Sequence, residues 1–262
     1  MKKSFIILIS VLLVISAIIY TGCSSKKAAT EPEEATATAT QIPAGPSSTP
    51  TSTNTPSAVV TPTVIDDFED GEVNTSKLGS SWTTSADTYG SSITKTAVNE
   101  LGQTGSYCMR IDANVVNNSG QANWAWTSCA VDVTPSGGTV DFNALTANGY
   151  KGIRIKYKGQ LGTGSSGVAF LVQLVSNAIT DYSKFRYPIT APSANWVTID
   201  IPFKIGTGGF QRPNWGQDST IDEATFYSQI KAIEFSISDF TSGQAGFANY
   251  DNHWWIDDIT YY

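Results

Sequence analysis

Asn123-Trp124-Ala125-Trp126-Thr127-Ser128 leads directly into Cys129-Ala130-Val131-Asp132-Val133. The cysteine and the valines recur at every second position, the pattern of a half-buried strand. Counting back through that alternation sets Trp124 and Trp126 on the face opposite the valines, about 7 Å apart along the strand. Two indole rings on one outer face can stack on a sugar. The C–H face of a pyranose is apolar, and the hydroxyls at its rim need hydrogen-bond partners. The other reading is a bulge that turns both rings into the core. A second candidate is Trp215, in Arg212-Pro213-Asn214-Trp215-Gly216-Gln217-Asp218. Arg212 and Gln217 can donate hydrogen bonds there and Asp218 can accept them, a combination that suits a concave site for a polar ligand. Its alternative is a loop ring packed over a sheet edge. Tyr182, Phe185, Arg186 and Tyr187 come just before Pro188 and can line the same groove, with Tyr187 as a further stacking surface. Trp82, Trp196 and Trp255 abut strand patterns and are expected in the core.

Catalytic sets are scarce. His253 is the chain's one histidine, in Asp251-Asn252-His253-Trp254 with no serine or cysteine motif beside it, and it reads as a surface-loop residue. A glycosidase needs two carboxylates about 5–9 Å apart, one with a raised pKa. Past the opening segment the folded part offers only Glu100, Glu223 and Glu234, and no pattern pairs them. No glycine-rich loop precedes a helix, so nucleotide binding has no support. A non-catalytic protein is expected.

The chain carries a net charge of −7, and only 15% of its 262 residues are charged. Nucleic acid and anionic membrane surfaces are poor partners for such a molecule. A surface of Ser, Thr, Asn, Gln and Gly with many aromatic rings suits an uncharged polar ligand instead. Met1-Lys2-Lys3, an apolar run from Phe5 to Tyr20 and Thr21-Gly22-Cys23-Ser24 form a secretory signal. The small residues before the cysteine resemble the lipobox of bacterial lipoproteins, although Tyr20 stands where an aliphatic residue is usual. That resemblance implies cleavage after residue 22, lipid on Cys23 and an exported chain anchored at the cell envelope or cell surface. An uncleaved signal anchor is the other reading. Residues 23–64 are Ser, Thr, Pro and Ala with a few charges, too poor in large apolar residues to offset chain entropy. They read as a disordered spacer whose ends lie roughly 35 Å apart as a coil.

Residues 65–262 are long enough for one domain with its own core. Period-two patterns run through Gly152–Lys158, Trp196–Phe203, Ala232–Ser238 and Trp255–Tyr261, while Val168–Val175 is almost wholly apolar, as in a central strand. Pro202 belongs at an edge or a bulge. Only residues 222–229 hint at a helical turn. Strands at this spacing, without a βαβ rhythm, give an all-β fold, a jelly-roll β-sandwich. Export permits a disulfide between Cys108 and Cys129, but Cys108 points away from Met109 and Ile111 while Cys129 shares its face with Val131 and Val133. Cysteines on opposite faces cannot bond without a bulge.

Five segments carry a further resemblance: Asp66-Asp67-Phe68-Glu69, Gly152-Ile153-Arg154-Ile155-Lys156-Tyr157, Trp196 to Phe203, Ile230 to Phe235 and Trp255 to Ile259. Together they resemble family 11 carbohydrate-binding modules and are similar to the complex I intermediate-associated domain, both galactose-binding-like jelly rolls. The first kinship implies binding of a neutral polysaccharide or oligosaccharide, with β-glucan favoured, by a monomer. Its site would hold Trp126, Tyr187, Arg212, Trp215 and Asp218. The second implies a protein-interaction or assembly module on the same fold. An unrecognised hydrolase is the third reading. Adjacent first and last strands would gather the terminal acids. Oxygen-rich clusters suit Ca²⁺, and the resemblance implies a structural calcium held by Glu69, Asp257 and Asp67. The alternative is a solvated acidic edge that blocks sheet-to-sheet association.

Overall fold

Alternation decides which residues of each strand are buried, and two sheets result whose apolar faces meet. The computed structural model describes residues 63–116, 125–162, 168–189, 192–213, 216, 219–239 and 250–262. Cys23, Trp124, Trp215, Gln217 and Asp218 fall outside them. The strands are β1 (Thr63–Asp66), β2 (Trp82–Ala86), β3 (Ser92–Val98), β4 (Cys108–Val115), β5 (Ala125–Asp132), β6 (Gly152–Gln160), β7 (Val168–Ser176), β8 (Phe185–Ile189), β9 (Val197–Pro202), β10 (Ile230–Asp239) and β11 (Tyr250–Tyr261). One sheet is six-stranded, ordered β3-β4-β11-β6-β9, with β1 also paired to β11. The other is five-stranded, ordered β2-β5-β10-β7-β8. All the pairings are antiparallel, and the fold class is the expected jelly-roll β-sandwich. β9, which ends on Pro202, lies at an edge.

β11 organises the six-stranded sheet. On one flank it pairs with β4 through Ile256 and then with β1 from Ile259 onward, so the first and last strands are neighbours. Between those partners a bulge breaks the register with β6, and Asp258 takes a left-handed φ of 47°. The bulge changes parity. Trp254 and Ile256 point inward ahead of it, and Ile259 and Tyr261 point inward after it. Trp254 is fully buried and stacks on Phe170 of β7 at 4.7 Å, with Phe235 of β10 edge-on at 5.4 Å. Gly159 of β6 leaves room for this contact, since a Cβ there would lie 2.4 Å from the Phe170 ring.

Trp82 is in the core as expected, and its Nε1 donates to Asp66 Oδ2 at 2.6 Å. Trp196 and Trp255 are not part of the core cluster. Cys108 faces outward from its sheet and Cys129 inward from the other. Both thiols are free and buried, and burial pushes each up to about 12. The expected helical turn is α2 (Glu223–Tyr227), capped by the Asp222 side chain. A second short helix, α1 (Phe142–Ala147), is capped by Asp141.

Trp254→Ala removes the ring that joins the two sheets. Its expected cost is about 3–5 kcal/mol of stability in urea unfolding, the range for emptying a large buried aromatic site. A loss below about 1 kcal/mol would place the main inter-sheet contact elsewhere.

Candidate functional site

Inward Ile233, Phe235 and Ile237 on β10 force Glu234, Ser236 and Ser238 onto the outer face of the five-stranded sheet. The same parity on β5 turns Trp126 and Ser128 outward and Cys129 and Val131 inward. Register then lines these residues up across the sheet. Trp126 lies opposite Ser238, and Ser85, Ser128, Ser236, Leu171 and Pro188 form a cross-strand row. Ser128, Ser236, Ser238 and Leu171 are buried although they face away from the core. The Ser236 hydroxyl lies 3.1 Å from the Thr127 carbonyl and 3.2 Å from the Ser238 hydroxyl.

Trp126 is 37% exposed, the one exposed tryptophan among the described residues. Its backbone is pinned from both sides: its N–H donates to Asp87 Oδ2 at 2.8 Å, and its carbonyl accepts from the Asp87 N–H at 3.1 Å. The strand therefore fixes the point on the outer face from which the indole projects. Glu234 lies four residues from Ser238 along β10, about 13 Å away. Its carboxylate accepts from Lys184 Nζ through both oxygens, at 2.8 and 2.7 Å. The pair borders a cavity of about 290 Å³ whose wall is the segment after β7, including Tyr182.

The other expected ligand contacts lie in different surroundings. Tyr187 shares the parity of Phe185 and Ile189, pairs with Val172 and packs partly buried against the core, so it does not share the face of Trp126. Phe185 imposes this by stacking on Phe226 at 3.8 Å. Arg212 lies with its guanidinium 4.9 Å from the Phe185 ring and donates from Nη1 to the Ile221 carbonyl. Trp215 and Asp218 are outside the described residues. Gly216 between them packs on Asp181 and Ser183, where a Cβ would come within 2.7 Å of both side chains.

The first and last strands are neighbours, but the acids they carry do not form a cluster, and each meets a donor instead. Asp67 pairs with Lys77. Glu69 accepts from the backbone N–H of Ser106 at 3.0 and 2.9 Å and from that of Tyr107 at 3.3 Å. Asp257, fully buried, accepts from the N–H of Thr104 at 2.8 Å and from that of Asp258 at 2.9 Å. Burial pushes its carboxyl up to about 6, and burial does the same at Asp66. Among the described residues no three acidic, histidine or cysteine side chains form a group that could hold a metal. Glu69 and Asp257 thus clasp one loop, residues 104–107, through its N–H groups. With part of their capacity spent on those donors and no third acidic side chain grouped with them among the described residues, the carboxylates as placed offer calcium an incomplete ligand set.

Sequence reasoning missed the outer face of the six-stranded sheet. Trp255 lies there, 8% exposed, with Lys158 Nζ 4.4 Å and Arg110 Cζ 5.3 Å from its ring centroid. Trp196 is beside it, 5.4 Å from Lys156 Nζ, with its Nε1 donating to the Leu101 carbonyl at 2.9 Å. His253 is in a strand rather than a loop, its Nδ1 bonded to Asp112 Oδ1. Counting backward from Ile259 and Tyr261 puts Trp255 inside, and only the bulge at Asp258 reverses that.

No family model matches the chain, and no curated protein matches it. Solved structures do resemble it. One belongs to a study of promiscuous specificity in carbohydrate-binding modules of the β-sandwich superfamily, with TM-score 0.41, 11% identity and coverage of 75% of this chain. An exo-β-agarase has TM-score 0.40, 13% identity and 75% coverage of this chain. A family 30 carbohydrate-binding module has TM-score 0.39 and 15% identity over 68% of this chain and 89% of its own. The chain spans 60% of the first of these structures and 24% of the agarase. At such scores the sandwich rests on its own strand order, not on its neighbours.

Millimolar calcium, added to a chelator-treated sample, is expected to move the melting temperature by less than about 1 °C, because ligands stabilise only in proportion to what they bind. A rise of several degrees, lost in Asp257→Asn, would show that the acids regroup around an ion.

Proposed function

We propose that the chain is a non-catalytic binder of a neutral polysaccharide or oligosaccharide, with β-glucan favoured, acting through the outer face of the five-stranded sheet. One observation carries this reading: an exposed Trp126 ring on a backbone held in place, on a sheet face whose nearest cross-strand side chains are serines, of which Ser85 is open to solvent. A sugar matches that face in both respects, because its C–H surface packs on an indole and its hydroxyls exchange hydrogen bonds with neighbouring hydroxyls. A charged ligand gains less there. The fixed charges near the ring are few, and Lys184 and Glu234 neutralise each other.

Trp215 and Asp218 extend the same proposal through their loop, whose Gly216 touches the segment that carries Tyr182. Export and anchoring are also proposed, resting on Met1-Lys2-Lys3, the apolar run and the small residues before Cys23. Lipid on Cys23 would tether the module at the cell envelope, and residues 24–64 would give it reach toward a large glycan. Among the described residues no helix is long and apolar enough to cross a membrane. Sites of this kind, using a few rings and hydroxyl contacts, bind at about 10 µM to 1 mM, which is roughly 4–7 kcal/mol.

Affinity electrophoresis against β-glucan, cellulose, xylan and mannan tests the proposal. Retardation on one glycan is expected, weakened about tenfold or more by Trp126→Ala, since an aromatic contact of this size contributes more than one kcal/mol. A folded protein that no glycan retards would overturn the reading and shift the weight to a protein-interaction role.

A further inference from the structure

Resting on that reading, we infer that the cavity beside Tyr182 is a single-ring subsite, in which the Lys184–Glu234 pair hydrogen-bonds adjacent hydroxyls of a neutral sugar. Three features of the cavity converge on this assignment. The first is the ion pair itself. Glu234 is 7% exposed, and Lys184 Nζ reaches both of its oxygens. Burying the Glu234 charge beside a half-buried Lys184 is costly, and an apolar pair of the same size would often serve a sheet as well or better. Retaining charge at a cavity wall is therefore better explained by what the charges can bind.

The second feature is unused bonding capacity. An ammonium has three donors and a carboxylate about four acceptor sites. The two contacts between the partners leave one N–H of Lys184 and further lone pairs of Glu234 without a partner among the described residues. A donor and an acceptor a few ångströms apart match two neighbouring hydroxyls, each of which both donates and accepts. An isolated cation or anion does not match both.

The third is Tyr182. This residue lines the cavity but is 86% exposed, and its backbone is held at a φ of 64°, a left-handed conformation that is uncommon for an aromatic residue. A large ring kept in water by a strained backbone stabilises nothing in the free protein. It offers a flat apolar surface to a ligand. Val175 and Ile179 supply an apolar wall to the same cavity. At about 290 Å³ the space lies at the lower end of ligand pockets, enough for one ring, with the rest of the glycan running toward Trp126.

The test uses the full chain with four soluble probes: cello-, laminari-, xylo- and manno-oligosaccharides. Tyr182→Ala is expected to weaken binding of the preferred probe about tenfold with an unchanged melting temperature, because the ring is in water. Glu234→Gln is expected to weaken it at least as much. The double exchange Lys184→Glu with Glu234→Lys rebuilds the ion pair with reversed polarity. It is expected to restore the melting temperature and still bind poorly, because lysine and glutamate differ in length and then present the donor and the acceptor at other positions, a loss that a purely structural pair would not cause. If Tyr182→Ala and the exchanged pair bind like the parent while Trp126→Ala does not, the subsite is wrong and glycan binding stands. If the parent binds none of the probes, glycan binding falls and the subsite falls with it.

Discussion

The stacking of Trp254 on Phe170 is the contact on which the rest of the molecule depends. It joins the longest strand of one sheet to an interior strand of the other, and Phe235 and Tyr157 close around it edge-on. Once Trp254 points inward, strand geometry leaves no choice for its neighbours, because successive side chains alternate in direction. His253 and Trp255 must face out. On β10, inward Phe235 likewise sends Glu234 and Ser236 out. The proposed binding face is thus the complement of the core, set by the same parity. A one-residue slip in β10 would exchange the serines and Glu234 for isoleucines and phenylalanine on the outer face.

The two outer faces put their aromatic residues to different uses. On the six-stranded sheet Trp255 is covered by Lys158 and Arg110, whose charges meet Glu100 and Asp112 in turn. The loop after β3 closes over that region through Thr104 and Ser106, held by Asp257 and Glu69. On the five-stranded sheet Trp126 has its backbone fixed and about a third of its surface in water, and Tyr182 is more exposed still. Rings that are positioned but uncovered distinguish a binding face from a stabilising one.

Much of this was legible in the sequence where period two ran unbroken. The alternation of Cys129, Val131 and Val133 correctly turns Trp126 outward, and that of Met109 and Ile111 correctly separates the two cysteines. The strands expected from Gly152 and Val168 stand where their patterns put them, and that expected over Ala232–Ser238 lies within β10. Reading failed at the bulge. An extra residue at Asp258 inverts the parity of everything before it, which takes Trp255, expected in the core, out of it and puts Trp254 in. Short edge strands such as β2 and β3 bury only part of one face, so their alternation is faint. The bond between Lys184 and Glu234 spans 50 residues of chain and follows only from sheet register. The first and last strands are neighbours as expected, but their acids do not gather into one group among the described residues. Their partners could not be foreseen, because backbone N–H groups leave no mark in a sequence.

The central claim is that the outer face of the five-stranded sheet receives a neutral glycan. The most direct measurement is an NMR titration of the isotope-labelled chain with a soluble β-glucan oligosaccharide, following the tryptophan indole N–H signals. The account predicts that the Trp126 signal shifts in a saturable way while those of Trp254 and Trp255 stay in place. Shifts confined to Trp196 and Trp255, with Trp126 unmoved, would place the ligand on the opposite sheet and contradict it.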